Sequence, residues 1–156
     1  MKKNDGKYLE QLVELIEKSI ARSTDHTAKV ERNVNLPVLN SSIGATRQCD
    51  IIIRSGVVPR ETITIVEVQD RKEAVEIGHY SDWITKLDSV GAQQLICVSR
   101  HAFPESIKEQ VALSGTKVRL TISANFYQDV VGNNYAKLIE FSPKSEPIIV
   151  FSNIEF

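Results

Sequence analysis

The chain has 156 residues, 42% hydrophobic and 25% charged, the make-up of one ordinary globular domain; a disordered or fibrous polypeptide is excluded. Its 19 Lys+Arg stand against 20 Asp+Glu, so a globally basic nucleic-acid binder is excluded and any such surface must be a local patch. The start, MKKNDGKYLEQL, has no apolar signal-peptide core, and no apolar run approaches the roughly 18 residues of a membrane span. Cys49 and Cys97, with no CxxC, suggest no disulfide framework; the expectation is two buried, reduced thiols in a cytoplasmic protein.

In chain order, residues 6–21 place Leu9, Leu12, Val13, Leu15, Ile16 and Ile20 on a helical stripe. KVERNVNLPVL reads as a strand in which Val30, Arg32, Val34 and Leu36 point one way, ending near Pro37. RQCDIIIRSG and TITIVEVQ follow as strands, the second rich in β-branched residues. Residues 72–90 hold Val75, Tyr80, Trp83, Ile84, Leu87 and Val90, a second helical stripe, with Gly91 as its C-cap. QQLICVSR is a nearly continuous apolar strand of the kind buried on both faces. FPESIKEQVALSG predicts a helix with Pro104 in its first turn and Gly115 past its end, and KVRLTI another strand.

The strand–helix–strand–helix–strand order over 62–122 predicts parallel pairing through right-handed crossovers, and the two earlier strands are predicted antiparallel. The fold class is therefore α/β, a mixed sheet flanked by helices on both faces. The whole of 1–156 is one domain with its core over about 6–122; residues 123–156 add strands, and the abrupt apolar end suggests a piece of a longer protein with a further domain.

With a turn centred on Val58-Pro59, the 48–69 hairpin sets Asp50 opposite Glu67, and alternation puts Glu67 and Gln69 on one face. Opposed carboxylates repel unless a cation lies between them. Few, all-oxygen ligands suit Mg²⁺ or Mn²⁺, which keep several waters, and such an ion equips a site for phosphodiester hydrolysis. The other reading of the same residues is two solvated acids at strand ends.

An acid at a strand start followed by an acid–x–polar pair on the next strand resembles the PD-(D/E)xK nuclease superfamily, in particular Mrr-type restriction endonuclease-like domains. The resemblance is carried by YLEQLVELI, TRQCDIII, VEVQDRKEAV and LDSVGAQQLICVSRHAFPESIKEQV, in that order, over roughly residues 6–122. It implies a restriction-endonuclease-like sheet and Mg²⁺-dependent cleavage of DNA. Asp50 and Glu67 match the family's two metal-binding carboxylates, and Glu10 matches a first-helix glutamate that faces the same site. Gln69 stands where the family usually has lysine. It can orient water but brings no charge; Arg71, or else Lys72, is the expected source of the missing cation. A double-strand break implies a homodimer, with the second helix as its surface, and DNA specificity is expected from further domains or subunits.

The alternative in another class is a catalytically silent domain of the same fold that binds nucleic acid or a protein; the absence of lysine at 69 favours it, the intact carboxylates oppose it. Arg47, Arg54, Arg60, Lys86 and Arg100 are the other basic residues expected near the site. Gln93 and Gln94 either line it or merely begin a strand. His26, His79 and His101 have no metal-ligand spacing, and Trp83 is read as core or dimer contact. No GxxxxGK[ST], GxGxxG or GxSxG occurs, so triphosphate hydrolysis, Rossmann cofactors and serine hydrolysis are unsupported.

Overall fold

The computed structural model describes residues 7–69, 73–128, 134–141 and 148–153, with side chains over 9–69 and 73–121. In order come α1 (Lys7–Thr24), β1 (Lys29–Pro37), β2 (Thr46–Ser55), β3 (Thr62–Gln69), α2 (Ile77–Val90), β4 (Gln94–Ser99), α3 (Glu105–Leu113), β5 (Val118–Gln128), β6 (Asn134–Phe141) and β7 (Ile148–Asn153). The strands form one sheet in sequence order. β1–β2–β3 and β5–β6–β7 are antiparallel, and β3–β4–β5 are parallel. Parallel neighbours need a crossover, and α2 and α3 supply the two that the sequence pattern requires.

Helices cover both faces of the sheet. On one, Leu9 and Val13 of α1 pack on Ile51, Val66 and Val98, one residue from each of three adjacent strands. On the other, Tyr80, Leu87 and Val90 of α2 and Ile107 and Val111 of α3 cover Ile52, Ile65, Leu95 and Leu120. Each wholly buried aliphatic chain contributes roughly 1.5–3 kcal/mol, so β3 and β4, buried on both faces, anchor the domain. Both cysteines are buried and unbonded.

Two expectations from the sequence are corrected. β1 does not keep one face: Val30 packs on the α1 side and Arg32 reaches Glu14 of α1 at 3.3 Å, but Val34 and Leu36 join the α2 side. The cause is Asn33, which has φ +54° and is skipped, with Asp50, in the β1–β2 ladder. A left-handed residue turns the pleat over, and β2 follows, since Ile51 faces α1 whereas Cys49 belongs to the α2-side core. Secondly, α2 starts at Ile77 rather than at 72; Val75 is buried, but from the extended segment before the helix, with Glu76 at φ −83°, ψ 156°.

Past Ile51↔Val66 no β2–β3 pair remains, and the outer half of the β1–β2 hairpin leaves the sheet as an arm. The arm bends over α2: the Leu39 N–H donates to the Ser89 carbonyl at 2.8 Å, at the end of the helix. There Gly91, at φ +68°, closes α2, and the N–H groups of Gly91 and Ala92 return to Asp88 and Leu87.

Candidate functional site

The β2–β3 ladder runs from Ser55↔Thr62 to Ile51↔Val66, the register expected from the sequence, and its next step sets Asp50 across from Glu67. At this fork the carboxylates take over the work of the ladder. Asp50 Oδ2 accepts the Val68 N–H at 2.8 Å, and the Asp50 main chain hydrogen-bonds to the Glu67 carboxylate. Each strand thus satisfies a backbone group of the other where regular pairing stops.

Glu67 is only 3% exposed. Both of its oxygens accept hydrogen bonds from Lys86 Nζ, each at 2.8 Å. Burial, then the charge of Asp50, push the Glu67 carboxyl up from 4.5 to about 7, against the opposing pull of Lys86. Its neighbour across the parallel ladder is Cys97, whose thiol burial and Glu67 hold well above the usual range. The Cys49 thiol is pushed up to about 11, again by burial first and Glu67 next. Both sulfurs are therefore protonated and poorly nucleophilic.

Gln69 follows two residues after Glu67 and so shares its face; it is buried and pairs with Ser99 on β4. Arg100 and His101 leave β4 at this same end of the sheet, and the His101 N–H donates to Ser99 Oγ at 3.2 Å. The site is thus Asp50 and Glu67 at the fork, Gln69 beyond them, and Lys86 from α2.

The remaining expected residues are placed as follows. Glu10 lies half-buried in the first turn of α1, the helix whose Leu9 and Val13 pack on Ile51 and Val66. Arg71 and Lys72 lie outside the described residues. Arg54 is at the far end of β2, held by Glu31 at 3.6 Å and Glu61 at 3.4 Å, and Arg60 sits in the far turn. Gln93 and Gln94 are also at that far end: Gln93 Oε1 accepts the Ile63 N–H, and Gln94 pairs with Thr64. They begin a strand and do not line the site.

Lys86 was visible in the sequence only as one basic residue among several. Its signal is positional: it sits one residue before buried Leu87, on the flank of the apolar stripe that faces β3 and β4.

Among the described residues no group of three or more His, Cys, Asp or Glu forms a metal cage. The donor set still fits a hard divalent ion of low protein coordination. It offers two carboxylates at one fork; burial first, and then the charge of Asp50, raise the pKa of Glu67, and a cation would relieve the second of these. Asp50 is half-exposed, so access is from its side. An ion there would share Glu67 with Lys86.

No family model matches the chain, and no curated protein matches it. A solved structure, the crystal structure of a protein of unknown function, AF1548, is similar at 13% identity with a TM-score of 0.48 over 70% of this chain. The chain spans 54% of the length of that protein.

Proposed function

We propose that the chain is a restriction-endonuclease-like nuclease domain that hydrolyses DNA phosphodiesters with Mg²⁺ or Mn²⁺. The observation that carries this reading is the carboxylate pair at the β2–β3 fork with an ammonium group bonded to one member: Asp50, Glu67 and Lys86. Asp50 and Glu67 would hold the ion, which when bound supplies a water of lowered pKa and charge stabilisation at the phosphate oxygens. Lys86 favours the ionised form of Glu67 against burial and the charge of Asp50, and fixes its rotamer from the helix side. It also places beside the fork the positive charge that Gln69 lacks. Gln69 orients water through its amide. Arg100 and His101 stand at the same end, where the backbone of a duplex would lie. Cutting both strands takes two copies of the site, which a homodimer provides.

The test is purified protein on plasmid and linear DNA with Mg²⁺, Mn²⁺ or EDTA, wild type beside Asp50→Ala. Metal-dependent cleavage lost in Asp50→Ala supports the nuclease; cleavage that survives the substitution refutes this site.

One observation favours a second reading, a silent domain that binds nucleic acid. Glu67 is almost wholly buried and already neutralised by Lys86, as a structural ion pair would be. Salt-sensitive duplex binding without cleavage under either metal is its signature.

A further inference from the structure

A second concave feature lies away from the fork, where α1 ends against the start of β1. It is a pocket of about 260 Å³ lined by Lys18, Ala21, Arg22, Asp25, His26, Ala28 and Val30. The small side chains Ala21 and Ala28 leave the space open, and three basic side chains surround it.

Its charges do not cancel locally. Among the described residues Glu14 is the carboxylate that pairs with both Lys18, at 2.7 Å, and Arg32, at 3.3 Å, so its single negative charge serves two cations. Asp25, the acid in the lining, stays negative and offsets one of the cations Lys18, Arg22 and Arg32, as Glu14 offsets a second, which leaves one positive charge over; its Oδ1 accepts both the N–H and the hydroxyl of Thr27, at 2.9 and 2.6 Å. Those bonds hold its carboxyl below the usual range. Arg22 and His26 are exposed at the rim, and among the described residues no hydrogen bond or ion pair holds either.

The C-terminus of a helix ordinarily repels anions through its unpaired carbonyls. Here the last turn is capped. The Ile20 carbonyl accepts the hydroxyls of Ser23 and Thr24, at 2.9 and 2.7 Å, and the Ala21 carbonyl accepts the Asp25 N–H at 2.9 Å. The repulsion is reduced, and the surplus of cations remains.

We infer that this pocket binds a phosphate-type oxyanion, gripped by the Arg22 guanidinium with Lys18 and His26 completing the ring. A guanidinium fork matches two phosphate oxygens at once, and an ammonium adds a point charge. The pocket is separate from the fork: Val30 pairs with Ile53, well along β2 from Asp50, and α1 lies on the opposite face from Lys86.

The experiment is amide chemical-shift titration of the full chain with inorganic phosphate, a nucleoside monophosphate and a short DNA duplex. Saturable shifts confined to residues 18–30 are expected with phosphate at millimolar concentration. Arg22→Ala should weaken this binding about tenfold or more, and Arg22→Lys should keep part of it. Arg22 is exposed, so both variants keep the fold, which the same spectra verify. Asp50→Ala should leave the phosphate shifts intact, which separates this site from the nuclease reading. A mononucleotide that binds more tightly than phosphate identifies a free ligand; a duplex that needs Arg22 at far lower concentration identifies a polymer phosphate. No saturable shift in this segment, or an unchanged response in Arg22→Ala, overturns the inference.

Discussion

Lys86 Nζ stands 2.8 Å from each carboxylate oxygen of Glu67, bringing a helix ammonium to the same strand face on which Gln69 lies two residues further on. If this ammonium supplies the charge missing at 69, the charge should be movable. Lys86→Met is expected to lower metal-dependent cleavage by about a hundredfold or more, in the range of losing one preorganised electrostatic group. Adding Gln69→Lys to Lys86→Met should return part of that loss, because residue 69 sits on the same face one pleat away. Single-turnover cleavage rates for wild type and both variants decide it. A double variant no better than Lys86→Met rejects the exchange.

Stability should respond to pH through Glu67. Its carboxyl titrates at about 7 in the fold against an ordinary 4.5. Between those values the folded state holds the proton more firmly than the unfolded state, so stability falls as pH rises through the window. The effect is at most about 3 kcal/mol. Urea unfolding midpoints for wild type should therefore climb from pH 7 towards 4.5, and Glu67→Gln should flatten that climb. Mg²⁺ or Mn²⁺ favours the ionised carboxylate and should stabilise the protein more at the upper end of the window than at the lower. A wild-type profile matching that of Glu67→Gln would show that Glu67 titrates normally.

Asn33 sets the crossing of the arm from one face to the other, with φ +54°. Asn33→Gly should be tolerated to within a few tenths of a kcal/mol, because glycine adopts this conformation freely. Asn33→Val should cost about 1–3 kcal/mol, since a β-branched residue is strained there. Thermal unfolding of the three proteins checks the order. Equal losses for Gly and Val would mean that the side chain of Asn33, and not its backbone, makes the turn.

How far the sequence reveals this molecule follows from which interactions are local. The Asp50–Glu67 register is legible because a short hairpin fixes pairing by counting from its turn, and a one-residue slip would put every apolar side chain on the wrong face. The parallel order of β3, β4 and β5 is legible from helices alternating with strands. The reversal at Asn33 is not, because the period of two in Val30, Arg32, Val34 and Leu36 looks unbroken, and only the backbone dihedral reveals the change. Lys86 is hidden for a different reason. Its partner is 19 residues away on another element, and neither residue type by itself marks a buried pair. Val75 misled by phase: it is buried at a spacing that suits α2 but lies in extended chain.

The arm over the end of α2 is fastened at its tip, and that fastening can be loosened without touching the fork. Gly91 has φ +68°, and a Cβ there would lie 2.5 Å from Leu39 Cδ1, the free end of a flexible side chain. Two costs are thus superimposed in Gly91→Ala: a backbone cost of about 1–2 kcal/mol for a left-handed alanine, and a contact that Leu39 relieves by turning outward. Leu39 is 55% exposed, so Leu39→Ala by itself should change stability little. The double variant should recover only the contact part, less than half of the loss, and the rest should persist as backbone strain. Amide exchange gives the second readout. The Leu39 N–H, bonded to the Ser89 carbonyl, should exchange faster in Gly91→Ala, while the β3–β4 amides keep their protection. Faster exchange spreading into β3 would show that the arm is part of the cooperative core and not a cover hinged at Asn33.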